Sequence, residues 1–557
     1  MKNIYLLYLL VFNSCLINAK DLPTYKNIIN QISNIIIGST IWNLDSTNII
    51  SESSPIDRLG ESVSHGDYNN DGIQDLAIGI PNYDFQFFGV TLNNTGTVLI
   101  IYGSPNGLSS SNEQLLFQTF ESDPPNFENI NGVEENDFFG KSLASADFNC
   151  DGITDLAVGT PDESVTISGE LRNNVGAVNI FYGSINGFAD LGEGSTFLLQ
   201  GTGTGIFFSG HISDGDRFGW SMAVGNFDDG ADNGHACFDL AVSAPFEDFG
   251  NMNQISDGGQ VDVFYGRSAG LSGEPDFRDS LTQQSDDIPE SAAESNDQFG
   301  LSLTSGIFSL FNNNFSSLVV GIPGEDIDGI TNAGAVQVFH GSIDGLDENN
   351  SSEIWSQSGA IIGIVEANDR FGSSVATGRF NNDFIDDLVI GVPREDINSS
   401  GINDAGSINI IYGDSFGLSS SGNQSFHQNT ANMLGSAENS DRFGDVVVTG
   451  DLNNDNFDDL VIGVPREDDS KGAFHILYGT VNGISTDENQ YETNIFFGGA
   501  ILDEMGYAMT VADFGDGKEI AVGIPGDDSS DGDNDAGSVE VFRVQSDIIF
   551  IDSFDSL

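Results

Sequence analysis

Basic residues are scarce in this chain: 17 Lys and Arg stand against 85 Asp and Glu, a formal charge of −68. A surface of that sign repels nucleic acid and anionic membranes, and both are expected to be absent from its partners. Cysteine is nearly missing too. Cys15 lies in the N-terminal apolar stretch, which leaves Cys150 and Cys237, too few for a disulfide framework. Those two sit in corresponding loops of adjacent repeats, and either a bond or two free thiols fits the sequence. The six histidines are scattered, with no His-Glu-x-x-His pair for zinc. Beyond the N-terminus no apolar run is long enough to span a bilayer. Acidic chains poor in aromatics are often disordered, but 10% aromatic and 38% hydrophobic residues support a packed body.

The N-terminus has the layout of a secretory signal over residues 1–19. Lys2 supplies the positive region, Ile4 to Phe12 the apolar core, and Ile17-Asn18-Ala19 the cleavage site. A lipid anchor at Cys15 ranks behind it, because Phe12-Asn13-Ser14 is a poor approach to such a cysteine. The expected destination is therefore secreted, at the cell surface or periplasmic, where weak calcium sites are filled.

One stretch recurs in parts down the chain: Asp67-Tyr68-Asn69-Asn70-Asp71-Gly72-Ile73-Gln74-Asp75, followed by the apolar run Leu76 to Pro81. Side-chain oxygens fall at its first, third, fifth and ninth places, and the carbonyl of Ile73 fills the gap at the seventh. Hard cations such as calcium (Ca2+) take such all-oxygen sets. An EF-hand would need a bidentate Glu at the twelfth place, but Ile78 stands there, inside a buried strand pattern. The loop thus joins strand to strand. Two more loops are intact: Asp147, Asn149, Asp151, the Ile153 carbonyl and Asp155; and Asp451, Asn453, Asp455, the Phe457 carbonyl and Asp459. A fourth candidate, Asn381, Asp383 and Asp387, is doubtful because Arg379 occupies its first ligand place.

Around these loops one pattern repeats seven times. An aromatic or aliphatic residue precedes Gly (Leu59, Phe139, Phe218, Phe299, Phe371, Phe443, Met505), a polar loop follows, and a strand stops at Gly/Ala-x-Pro, as in Gly79-Ile80-Pro81. An alternating strand ending near Tyr-Gly comes next, such as Val98 to Gly103, then a more polar one. Four short strands in roughly 60–80 residues is the grammar of a propeller blade, and no blade buries both faces alone. The expected fold is all-β: a seven-bladed β-propeller of four-stranded antiparallel blades over 51–543. The lead-in 20–50 contributes a strand near Trp42 that pairs with the last blade and closes the ring, and 544–557 is a tail.

Phe-Gly, calcium loop and Gly-x-Pro together resemble the FG-GAP repeats of the integrin α-subunit N-terminal propeller. The resemblance implies calcium in the inter-strand loops and an adhesion or recognition role. The intact loops fall in units one, two and six, whereas integrins carry theirs in later blades.

Three residues after Gly/Ala-x-Pro stand Asp84, Asp248, Asp326, Asp396, Asp468 and Asp528, with Ser164 breaking the series. The plain reading is an Asx-turn bond holding each loop; the sharper one is an acidic recognition face. Gly372-Ser373-Ser374-Val375-Ala376 resembles a nucleophile elbow, but it recurs between units and lacks a following helix. The chain is expected to bind an extracellular protein or polysaccharide and not to be an enzyme. The alternative is a polysaccharide-active enzyme or lectin-like scaffold using the acidic face.

Overall fold

The computed structural model describes residues 36–42 and 56–544, with interruptions at 119–126, 201–211, 284–292 and several shorter stretches. The signal segment 1–19 and the tail beyond Val544 lie outside the described residues. Seven four-stranded antiparallel sheets form the blades. Blade 1 runs Ser62–Gly66, Asp75–Ile80, Thr97–Tyr102, Ser109–Leu116 from inside to outside. Blade 5 repeats this with Ser374–Gly378, Asp387–Val392, Ser407–Asp414 and Gly417–Phe426. The seventh sheet holds Ala508–Asp513, Lys518–Ile524 and Ser538–Val544. Its fourth strand is Ile36–Trp42, antiparallel to Ser538–Val544 with Thr40 opposite Val541.

The ring is closed by packing as well. Each innermost strand lies against that of the next blade, and blade 7 lies against blade 1 in the same way. The apolar cores sit between blades. Leu76, Ile78 and Leu99 of blade 1 share one core with Phe514, Ala521 and Val541 of blade 7. The second strand of each blade alternates its side chains between the two neighbouring cores, so both of its faces are buried.

The repeated glycines follow from how blades meet. A Cβ on Gly79 would lie 2.1 Å from the Gly140 carbonyl oxygen, and one on Gly391 would lie 2.1 Å from that of Gly444. The Gly of Gly-x-Pro in one blade therefore receives the Phe-Gly backbone of the next. In blades 1, 2, 4 and 5 a serine at the start of the inner strand fastens this contact: Ser62 Oγ donates to the Gly140 oxygen at 2.7 Å, and Ser374 Oγ to that of Gly444 at 2.7 Å. Ser374 thus opens a strand and holds a neighbour, which ends the nucleophile-elbow reading. Phe139, Phe218, Phe299, Phe371 and Phe443, just before those glycines, are fully buried in the interblade cores.

Candidate functional site

Antiparallel strand order sends the loops to two ends of the ring. The links between first and second strands, with the third-to-fourth turns, gather at one end. The Phe-Gly approaches and the loops after Gly-x-Pro gather at the other.

At the first end the three intact loops share one internal geometry. Asp67 Oδ1 and Asn69 Oδ1 both accept the Asp71 N–H, at 3.0 and 2.9 Å, so their side chains converge. Asp67 Oδ2 accepts Gly72 N–H at 2.9 Å, and Asp71 Oδ1 accepts Ile73 N–H at 2.9 Å. The same bonds recur for Asp147, Asn149 and Asp151, and for Asp451, Asn453 and Asp455. Gly72 turns at φ 88° and Asn456 at φ 72°, the left-handed conformation that Gly and Asn adopt most readily.

The ninth place is different. Asp75 is fully buried; its Oδ2 accepts Tyr68 N–H at 2.9 Å and its Oδ1 accepts Gly103 N–H at 2.8 Å. It ties the loop to the end of the third strand. Asp155 and Asp459 do the same in blades 2 and 6. So does Asp387 in blade 5, through Phe380 and Gly413. Asp239 does it in blade 3, where an insertion interrupts the loop. The carboxylate is therefore a strut wherever it occurs, whatever the state of the loop.

Burial, offset in part by those N–H bonds and reinforced by the charges of Asp71 and Asp67, pushes Asp75 up to about 7. Asp155 and Asp459 rise to about 8 for the same reasons. A divalent cation would relieve this crowding of charge. The donor set suits one: each carboxylate or amide oxygen that accepts an N–H keeps a lone pair. Among the described residues no group of three His, Cys, Asp or Glu side chains is gathered into a cage, so an ion here would also need the Asn oxygen and the Ile73-type carbonyl. In blade 5, Arg379 Nε reaches Asp386 Oδ1 at 2.9 Å beside the loop, while Asp383 N–H goes to Asn381 Oδ1 at 2.9 Å.

These loops also interlock. The N–H of Thr154 in blade 2 donates to the Asp67 carbonyl at 3.2 Å, that of Phe238 to Asp147 at 3.0 Å, and that of Asp458 to Arg379 at 2.9 Å. A belt of backbone bonds thus runs from loop to loop. Cys150 adds a covalent link, forming a disulfide with Cys237 across blades 2 and 3 at a Cα separation of 4.8 Å.

At the opposite end the acids after Gly/Ala-x-Pro hold their own loops. Asp84 Oδ1 accepts Asn94 N–H at 2.9 Å, Asp326 Oδ1 accepts Asn332 at 2.8 Å, and Asp396 Oδ1 accepts Asp404 at 2.8 Å. Ser164 Oγ accepts Asn174 N–H at 3.1 Å in the equivalent place. Beside them lies a set the sequence reading missed. Gln118 Nε2 donates to Glu163 Oε2 at 2.6 Å, Gln200 to Glu247 at 2.9 Å, Gln357 to Glu395 at 2.9 Å, and Gln428 to Glu467 at 2.7 Å. Each Glu faces a second buried acid, such as Asp216 opposite Glu247. Burial first, then that neighbour, pushes Glu247 up to about 10, and Asp216 rises to about 7 by burial.

One position that differs in every blade lies at this same end. The residue after Phe-Gly is Glu61, Lys141, Trp220, Leu301, Ser373, Asp445 and Tyr507 in turn, seven different side chains at seven equivalent positions.

The FG-GAP repeat family matches residues 59–101, 139–180, 371–410 and 443–477, four of the seven units. The chain is a seven-bladed β-propeller in which four units match FG-GAP repeats, and it is similar to integrin alpha chains. It is 28% identical over 251 residues to bovine (Bos taurus) phosphatidylinositol-glycan-specific phospholipase D, an alignment covering 44% of this chain and 25% of that protein. The rat (Rattus norvegicus) phospholipase gives 30% over 255 residues, 45% and 25%. Integrin alpha-PS5 of Drosophila melanogaster gives 27% over 252 residues, 45% of this chain and 21% of the integrin. The chain thus spans about a quarter of the length of the phospholipases it matches. The expectation that the chain is not an enzyme is corrected here: relatives named as phospholipases D are enzymes, and a propeller scaffold hosts catalysis as readily as binding. Among the described residues no helix is long and apolar enough to cross a membrane.

Proposed function

We propose that the chain is an exported recognition propeller that binds a protein or polysaccharide outside the cell through the Phe-Gly end of its ring. One observation carries the reading. Glycines, prolines, struts and loop-holding acids repeat from blade to blade and are consumed in building the ring, whereas the seven residues after Phe-Gly all differ and share one end. A ring whose repeated residues are structural keeps its individuality for a ligand. Export is supported by the N-terminal apolar stretch and by the Cys150–Cys237 disulfide, a bond that persists in oxidising compartments. Calcium is proposed for the loops of Asp67, Asp147 and Asp451, where it would offset carboxylate repulsion and stiffen the loop belt. The test is binding of the secreted chain to arrayed matrix proteins and surface glycans. Retention on one class, lost when Trp220 and Tyr507 become Ala, supports the reading; retention unaffected by these changes, or none at all, refutes it.

A second reading rests on the phospholipase D likeness: the propeller serves an activity on phosphatidylinositol-bearing glycans. Release of a glycan-phosphatidylinositol-anchored reporter from vesicles by the chain would establish it, and no release above a buffer control would exclude it for this chain.

A further inference from the structure

In a chain with five acids for every base, arginines are expected to sit against carboxylates, and several do. Arg58 holds Glu61 at 2.9 Å, Arg217 holds Asp162 at 2.9 Å, and Arg267 holds Asp228 at 2.7 Å. Four arginines of blades 5 and 6 do not. Arg370 and Arg442 precede Phe-Gly in their blades, and Arg394 and Arg466 follow Gly-x-Pro in the same two. Backbone contacts bring the positions together. Arg394 N–H donates to the Asp369 carbonyl at 3.3 Å, which sets Arg394 beside Arg370. Gly391, three residues before Arg394, meets Gly444, two residues after Arg442, at the blade junction already described. Arg466 stands in blade 6 where Arg394 stands in blade 5.

Among the described residues none of the four forms an ion pair. Arg370 Nη2 reaches only the Gln298 amide oxygen, at 3.5 Å, and Arg442 Nε is buried without a partner. Asp445 is the acid whose charge reaches three of them, Arg442, Arg466 and Arg394. Burial and then the charges of Arg394 and Arg442 work against the Arg370 guanidinium, so the cluster is held together against its own repulsion. Among the described residues its one evident structural task is to offset the charge of Asp445, a single acid against four bases, and it lies at the Phe-Gly end of the ring.

We propose that Arg370, Arg394, Arg442 and Arg466 form a binding site for a phosphate or sulfate ester group carried by the ligand. Guanidinium forks match the oxygens of such a group two at a time, and a net excess of positive charge suits a dianion. The surrounding acidity keeps long polyanions away while a single group on a sugar or lipid-derived headgroup can enter. This deepens the recognition reading, on which it rests, by naming the chemistry of what is bound.

The test is titration calorimetry on the full chain with sodium sulfate, glucosamine 6-sulfate and inositol 1-phosphate, at matched ionic strength. Saturable binding of at least one is expected, weakened roughly tenfold or more in R394Q and in R442Q, as loss of a charged hydrogen-bond donor implies. R172Q, at an ion pair on another blade, should leave it unchanged. R394K, which keeps the charge but loses the fork, should fall between. Melting temperatures of unliganded R394Q and R442Q are read alongside, because each change removes both a like charge and a positive charge that reaches Asp445. Preference for the sulfated sugar or for the inositol phosphate identifies which source carries the group. No binding of any probe, or equal binding by R394Q and R442Q, overturns the proposal, as does a lower melting temperature in both with affinity unchanged. If R442Q still binds the arrayed surface ligand as wild type does, this inference falls and the recognition reading stands; if the probes bind but no surface does, the reverse holds.

Discussion

Substituting Asp239 with Ala tests the strut without touching any of the three loops proposed to hold calcium. Asp239 is fully buried, and its Oδ2 accepts the N–H groups of Phe227 at 2.6 Å and Asp228 at 3.3 Å, while Oδ1 accepts that of Gly266 at 2.8 Å. Alanine leaves the two well-formed donors without an acceptor inside the blade. A buried donor stripped of its partner costs about 1–3 kcal/mol, so a loss of roughly 2–6 kcal/mol is expected. Asp239→Asn keeps one acceptor oxygen and should lose roughly 1–3 kcal/mol. The assay is the midpoint of urea unfolding, measured in chelator and in calcium. Because blade 3 carries an insertion in its loop, the D239A shift should be the same in both. D155A removes a strut and a loop residue together, and its shift should be larger in calcium than in chelator. A D239A midpoint indistinguishable from wild type, or a loss seen only with calcium, would refute the strut.

Gly391→Ala places a methyl group about 2.1 Å from the Gly444 oxygen and from Ser374 Oγ, and should prevent blades 5 and 6 from seating; little soluble chain is expected on expression. C150S with C237S opens a link between residues 87 apart and should lower stability by about 4 kcal/mol, read as a lower melting temperature than wild type under non-reducing conditions. The buried acid pairs give an inverted pH response. Glu247 is raised to about 10, Glu325 to about 8, and Asp216 and Asp297 to about 7. Carboxyls raised in the folded state contribute fully below their ordinary range near 4, and that contribution is lost as pH climbs through about 7 to 10. In chelator the chain should therefore melt higher at pH 5 than at pH 9, and the opposite order would contradict this pairing.

The fold was readable because its determinants are local and repeated. Phe-Gly and Gly-x-Pro mark the two backbones that touch at the blade junctions, where glycine stands in six of the seven blades and Ser243 in blade 3. The site was less readable. A carboxylate that binds a cation and one that accepts two N–H groups occupy the same place in the pattern, so spacing alone does not report that Asp75 also ties Tyr68 to Gly103. The clue lay in persistence: Asp387 remains where Arg379 has replaced the first ligand, and Asp239 remains beyond an insertion. Ser164 carried a similar clue, since Ser and Asp share a hydrogen-bond acceptor and not a charge. Gln118 and Glu163, or Arg394 and Arg442, are far apart in sequence and meet only through the packing of blades, which no local pattern reports.

The most direct test of the account is the calcium content of the purified chain, measured by calorimetry with melting temperature followed in parallel. Three bound ions, for the loops of Asp67, Asp147 and Asp451, and a clear fall in melting temperature on chelation are expected, as is loss of one ion in D147A. No binding, with the same melting temperature in calcium and in chelator, would contradict it and leave the three loops as turns held by their own N–H bonds.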